Sequence, residues 1–327
     1  MASLREIKDR IGSVRSTLTI TSAMKLVASA KLRKAQKAIE GMRPYERTLA
    51  EILAAVGPLR PGVPIARRTS ALPAVAGTGF GATNPAAAEP SLLGASGADK
   101  KGPAAIVAIA SNSSLCGGFN ANVIRKALDT IRSCEGEVEI YSIGRRMTDA
   151  LRRAGYEVSG TYNELIAHPS YETAAELARR LAARYHSGEL SRVVLVYNHF
   201  ASTSSQVPTA ETYLPFNEAL CFARDDGGNV ILSERRESKN LSGTDYLLEP
   251  DAAALVEQLL PQVLILKFYA AILDSAAAEH AARVIAMQTA TDNAEDLLGE
   301  LTLEYNKGRQ QKITAEILDL LGGAAAD

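Results

Sequence analysis

Chemistry in this chain of 327 residues is sought first where a phosphate, a metal or a nucleophile could be held. The run Leu115-Cys116-Gly117-Gly118-Phe119-Asn120 sets two adjacent glycines before a stretch of helical character, and bare amides there could cradle an anion. It has neither the lysine of a Gly-x-x-x-x-Gly-Lys-Ser/Thr loop nor the third glycine of a dinucleotide motif, and both patterns are absent from the chain. A tight turn with Asn120 as helix cap is the better reading. Cys116, close to a helix start, could be a nucleophile of lowered pKa, but none of His168, His186, His199 and His280 is near it in sequence. It reads as a packed thiol. So do Cys134 and Cys221, which make no Cys-x-x-Cys pair and no metal-ligand spacing. Lys31, Arg33, Lys34 and Lys37 could face nucleic acid or acidic lipid, yet no aromatic residue precedes Tyr45 to stack on bases. A solvated helix face, or an acidic protein partner, fits them better. No catalytic site, metal, cofactor or nucleic-acid partner is expected.

The elements that would position such residues are unusually long. Apolar or small residues at Leu4, Ile7, Ile11, Val14, Leu18, Ala28, Leu32, Ala35, Ile39, Met42, Leu49 and Leu53 fall on one heptad register, with Thr21, Lys25 and Glu46 as polar interruptions. A helix over 4–56 would be roughly 80 Å long at about 1.5 Å per residue, and a stripe of two positions in seven over that length predicts a coiled coil. The other end repeats the pattern through Val263, Leu266, Ala270, Leu273, Ala277, Val284, Met287, Ala294, Leu298, Leu301 and Tyr305, interrupted by His280 and Thr291. Such polar seam residues set register in coiled coils. Pro261 suits a first helical turn, so a short helical piece over 251–260 is expected before a second long helix over 261–321. Charge separates the two ends. Residues 1–47 hold eleven Lys/Arg against four Asp/Glu, and residues 251–327 hold five against twelve, so basic and acidic helices are expected to pair antiparallel.

Between them, Ala104–Ala110, Val138–Ile143 and Arg192–Tyr197 read as short buried strands alternating with helical stretches over Asn120–Ser133 and Tyr171–His186. That alternation predicts a parallel, Rossmann-like α/β domain without a nucleotide-binding motif, over 104–250. Residues 57–103, with seven Pro, eight Gly and ten Ala, cannot bury enough apolar surface to offset the entropy of ordering, and are expected to form a flexible insertion. Ala223–Gly243 reads as a second irregular stretch. The domain plan is therefore 1–56, 57–103, 104–250 and 251–327. No run of eighteen apolar residues and no secretory leader is evident, so a cytosolic location is expected. At the far end, Ile313, Ile317, Leu318, Leu320 and Leu321 are apolar on more than one face, which a surrounding collar would explain. A coiled-coil adaptor with an α/β docking domain and, less well, a nucleotide-binding enzyme are the alternatives that these features leave open.

Two long runs decide the matter. Ser3-Leu4-Arg5-Glu6-Ile7-Lys8, continuing through Ile20-Thr21-Ser22-Ala23-Met24-Lys25-Leu26-Val27-Ala28-Ser29-Ala30-Lys31-Leu32-Arg33-Lys34, closely resembles the first helix of F-type ATP synthase gamma subunits. Glu279-His280-Ala281-Ala282-Arg283-Val284-Ile285-Ala286-Met287, Ala290-Thr291-Asp292-Asn293-Ala294, Leu301-Thr302-Leu303-Glu304-Tyr305-Asn306-Lys307-Gly308-Arg309-Gln310 and Ile313-Thr314-Ala315-Glu316 resemble its last helix. The middle is similar more loosely, with Asn112-Ser113-Ser114 where Asp-Arg-Gly is usual, a departure expected to touch only a surface contact. The chloroplast type's cysteine pair is missing, so thiol control of that kind is not expected. The resemblance implies a rotor shaft without a catalytic site of its own, turned by the membrane ring of c subunits inside three alpha and three beta subunits. It also implies an epsilon partner, a regulatory effect on ATP hydrolysis, and indirect, peripheral attachment at the cytoplasmic face of the inner membrane. By motif, Met24, Lys25 and Arg283 stand where the family's helices meet the beta subunits, with Arg309, Gln310, Thr314 and Glu316 at a second contact higher up.

Overall fold

The structure is a computed structural model that describes residues 3–56, 102–134, 136–216 and 252–324. The expected irregular stretch Ala223–Gly243, nearly all of the 57–103 insertion, and Cys221 lie outside those residues. Helix α1 spans Leu4–Val56. It is followed by β1 (Ala104–Ile109), α2 (Phe119–Ser133), β2 (Val138–Ile143), α3 (Arg145–Arg153), β3 (Gly160–Thr161), α4 (Asn163–Ala167), α5 (Tyr171–His186), β4 (Arg192–Phe200) and β5 (Gln206–Leu214). The last described element, α6, spans Ala252–Ala324.

Two compact units are formed. The first combines Met1–Leu32, Leu115–Gly117 and His280–Asp327; the second combines Arg33–Ser114 and Gly118–Glu279. In the second unit the strands form one sheet in the order β3-β2-β1-β4-β5. β1 pairs parallel with β2 and β4, and β2 parallel with β3. β5 runs antiparallel to β4, so the sheet is mixed where an all-parallel one is expected. Every residue of β1 is buried, as suits a central strand covered on both faces. On one face Val123, Ala127 and Ile131 of α2 and Met147 and Leu151 of α3 pack on Ile106, Ala108 and Ala110. On the other, α5 and the stretch of α6 through Leu260, Leu264, Ile265, Phe268 and Ile272 pack on Ala105, Val107 and Ile109.

Four elements escape a reading by pattern. β3 and α4 are short, α3 starts directly after Gly144, and β5 carries Pro208 and mostly half-buried positions, the signature of an edge strand where a missing N–H is tolerated. Gly144 explains the tight start of α3. Its φ is 99°, and a Cβ there would lie 2.0 Å from the Ala110 carbonyl oxygen, so only glycine fits.

α6 is also longer than expected. It runs through Pro261 without a break, replacing the predicted short piece and fresh start. The lost backbone hydrogen bond is outweighed by burial on either side, at Leu260, Leu264, Ile265 and Phe268. Within Gln258–Leu318 an 18-residue window reaches a mean hydropathy of 1.4, and 56% of it is buried inside the chain. The apolar character there is largely that of a core helix, hydrophobic around most of its circumference because sheet and helices surround it.

In the first unit α1 and α6 lie side by side. A Cβ on Gly308 would sit 3.1 Å from Leu4 Cδ2, the Thr291 hydroxyl is 3.1 Å from that of Thr21, and Lys25 Nζ donates to Gln288 Oε1 at 2.8 Å. In each pair the two residue numbers add to 312 or 313, which makes the helices antiparallel and in constant register. That rule sets Ile11 opposite Leu301, Val14 opposite Leu298, Leu18 opposite Ala294 and Ala28 opposite Val284. The two heptad stripes visible in the sequence therefore mate position for position, with Ile7, Ala28, Leu32, Met287, Ala294 and Leu301 buried along the seam.

Candidate functional site

Two places could carry function: the loop after β1, where a doubly wound sheet binds ligands at its switch in strand order, and the outward surface of the paired helices.

At the first, the chain fills its own crevice. Asn120 Oδ1 accepts from the Ser111 amide at 3.1 Å and lies 2.9 Å from the Ser111 hydroxyl, while Asn120 Nδ2 donates to the Ser113 carbonyl at 3.2 Å. Asn120 is thus a loop staple one residue inside the helix. The cap position belongs to Gly118, with no side-chain cap bond, which corrects the expected role of Asn120 as cap. From the end of β4, Asn198 Nδ2 donates to the Phe119 carbonyl at 3.1 Å. Asn112 does more than the departure from the family pattern suggested. Its Oδ1 accepts the Arg145 amide at 2.9 Å, and its Nδ2 donates to the Asn163 carbonyl at 2.7 Å, so it ties the starts of α3 and α4 to the loop. A contact with residues 33 and 51 positions away leaves no local signature, which is why the sequence alone did not find it. Cys116 is buried and Cys134, whose Sγ lies 2.9 Å from Arg192 Nη2, is partly so; neither forms a disulfide.

On the paired helices the seven residues singled out by motif fall into two patches. Met24 and Lys25 are half-buried on α1. By the register rule they stand about 8 Å along the axis from Arg283, five residues at about 1.5 Å each. Lys25 is already engaged with Gln288, whose Nε2 donates to Asp292 Oδ1 at 2.6 Å. Arg283 is only 9% exposed, and its Nη1 lies 3.5 Å from His280 Nδ1. Burial first, then the charges of Arg283 and Lys31, pushes the His280 pKa down to about 4, so at neutral pH the imidazole is uncharged.

The second patch lies at the end of α6. Arg309, Gln310, Thr314 and Glu316 are all exposed. Thr314 donates to the Gln310 carbonyl at 2.9 Å, and Lys312 lies 3.8 Å from Glu316. By the register rule Leu4, the first residue of α1, stands opposite Gly308, and α6 runs on past it to Ala324. There Ile313 is 47%, Ile317 50% and Leu318 62% exposed. An apolar surface at Ile20, Leu26 and Val27 was not anticipated. Ile20, Met24 and Val27 follow at i, i+4 and i+7 off the seam, a spacing readable in the sequence once the seam is assigned. Exposed apolar stripes of this kind mark interaction surfaces. Nothing in either patch sets a nucleophile beside a base; the surfaces are suited to contact.

Known proteins are similar over the whole length. The family model described as ATP synthase matches residues 3–326. An ATP synthase gamma chain of Phocaeicola vulgatus is 42% identical over 330 residues, covering 100% of both chains. One of Bacteroides thetaiotaomicron is 43% identical over 332 residues, covering 99% of each. Among solved structures, a chain of the Euglena gracilis mitochondrial ATP synthase superposes with a TM-score of 0.59 at 19% identity, covering 99% of this chain and 94% of that one. Full-length identity of this order, with a shared fold of two terminal helices about an α/β unit, leads to one assignment: the chain belongs to the ATP synthase gamma chain family.

Proposed function

We propose that the chain works as the central rotor shaft of an F-type ATP synthase, in which the paired helices transmit rotation to nucleotide sites on other subunits. The observation that carries this reading is the constant antiparallel register, which joins two long helices into one rod with apolar and polar patches facing outward. Its partners would be the alpha and beta subunits around the rod, with epsilon and the c-ring at the α/β unit. The chain itself would be non-catalytic, attached peripherally at the cytoplasmic face of the membrane through those partners.

Met24, Lys25 and Arg283 would form the lower contact with the beta subunits, and Arg309, Gln310, Thr314 and Glu316 the upper one. Lys25 and Arg283 are partly committed within the chain, so Met24, with Ile20 and Val27 beside it, offers the open surface at the lower patch. Each rotor angle would then favour a different beta conformation, a population shift imposed by contact, and this is also how the shaft would restrain hydrolysis when rotation stalls. The direct test is to purify the complex through a tagged beta subunit and attach a bead to the α/β unit of this chain. ATP-driven rotation of the bead is expected; a chain that copurifies yet stays still while ATP is hydrolysed would rule out the shaft.

A further inference from the structure

The seam of the paired helices is apolar except at a few positions, and two of those meet. Thr21 and Thr291 are both buried, their hydroxyl oxygens 3.1 Å apart. Each also has an acceptor on its own helix, the Leu18 carbonyl at 3.1 Å for Thr21 and the Met287 carbonyl at 2.8 Å for Thr291. Two hydroxyl protons thus serve one contact across the seam and one within a helix, and neither buried group is left without a partner.

Apolar heptads alone do not fix this register. Sliding one helix by seven residues would again set apolar against apolar, whereas Thr21 would face Val284 or Leu298 and Thr291 would face Val14 or Ala28. The cross-seam bond is lost in either slip. Because each hydroxyl keeps its own-helix acceptor, the penalty discriminates between registers without making the seam fragile. Leu4 over Gly308 and Lys25 with Gln288 obey the same register, but both are partly exposed and so weaker markers.

We propose that Thr21 and Thr291 are positioning residues that pin the axial register of the rod, so that rotation imposed at one end reaches the other without slippage between its two helices. The role in coupling rests on the shaft reading above; the pin itself does not. The test places spin labels on Gly12→Cys and Gly299→Cys, positions where a Cβ has nothing within 4 Å, with Cys134 and Cys221 changed to serine. Distances are measured in the assembled complex by double electron–electron resonance. Thr21→Val with Thr291→Val keeps the shape and removes the hydroxyls. A second distance population displaced axially by about 10 Å, one heptad at about 1.5 Å per residue, is expected, with proton pumping per ATP reduced twofold or more. Thr21→Ser with Thr291→Ser should restore a single distance and normal pumping, which a purely volumetric role would not. If the double valine variant does not assemble, Thr291→Val alone carries the same expectation. A single unchanged distance in the valine variants overturns the pin, whatever pumping does. Displaced distances with normal pumping support the pin and count against the shaft instead.

Discussion

Phe268 and Leu301 are both buried residues of α6, but the one is enclosed and the other leans on a single helix. Phe268 is enclosed with the β4–β5 side of the sheet, its ring 5.7 Å from that of Tyr213, whose hydroxyl donates to the Leu264 carbonyl at 2.9 Å. Complete burial raises the Tyr213 pKa far above its ordinary value, and the phenol stays a neutral donor. Leu301 belongs to a narrow seam along one face of the helix, whose other members include Ala28, Ala294, Thr21 and Thr291. The α/β unit holds its shape by many overlapping contacts, any of which fixes the rest. The paired helices hold theirs by periodicity, so identity at a few positions decides alignment while most tolerate change.

The sharpest way to break the contrast is Phe268→Ala, which should cost about 3–5 kcal/mol for a large side chain lost from a packed interior. Denaturant unfolding of the purified chain measures it, and a loss below about 1 kcal/mol would mean the core is less interlocked than its burial implies.

A comparable effect, but on assembly alone, is expected at the end of α6. Ile313→Asp with Ile317→Asp alters residues that are exposed in the chain, so the thermal midpoint of the isolated chain should barely move. Inside an apolar collar each carboxylate would cost several kcal/mol unless neutralised or wet, and the amount of this chain per beta subunit in the purified complex should fall. Truncation after Gln311, which adds no charge, should be milder. If it assembles worse than the double aspartate variant, the tip is not held by an apolar collar.

The next effect separates the regions by pH. His280 faces Lys31 of α1 and Arg283 of its own helix, and its folded pKa of about 4 lies below the ordinary 6.5. The unfolded state therefore takes the proton first. The contribution of neutral His280 is complete above pH 6.5 and is lost as pH falls toward 4, by as much as about 3 kcal/mol. His280→Gln should flatten the pH dependence of the thermal midpoint in that window; an unchanged slope would place the acid sensitivity elsewhere.

Smallest of the four is Gly308→Ala. The new methyl would come within 3.1 Å of Leu4 Cδ2, the mobile end of a side chain one residue into α1, which can rotate aside. Gained helix propensity, up to about 1 kcal/mol, should then dominate and raise the thermal midpoint slightly. A fall would show that Leu4 is locked in its socket.

How much of this was readable depended on the range of the interactions. The seam could be read early because it is written in local spacing: Leu4 to Leu32 and Val284 to Tyr305 each keep a heptad whatever lies between them. The polar interruptions Thr21 and Thr291 were visible too, but that they face one another emerges only from the register. Pro261 misled because a local rule was outweighed by core contacts at Leu260, Leu264 and Phe268. β5 was hidden by Pro208 and by polar residues with distant partners: Glu211 pairs with Lys267 at 2.8 Å and accepts from the Tyr197 hydroxyl at 3.2 Å. Asn112 was hidden for the same reason. Of the residues taken from motif, Arg309, Gln310, Thr314 and Glu316 are exposed and Arg283 is buried; the commitments of Lys25 to Gln288 and of Arg283 beside His280 could not have been read from either helix alone.

The constant sum of opposing residue numbers also bears on which length changes the chain can accept. Adding residues between Val56, the end of α1, and Ala252, the start of α6, leaves every seam pair of the first unit matched, because both helices keep their own spacing and only the numbering shifts. One residue added between Leu4 and Leu32 turns everything beyond it by about 100° about the helix axis and rotates half the stripe out of the seam. Insertions and deletions should therefore gather between the two helices and be nearly absent within them, and a gene aligned across this family would show its gaps there.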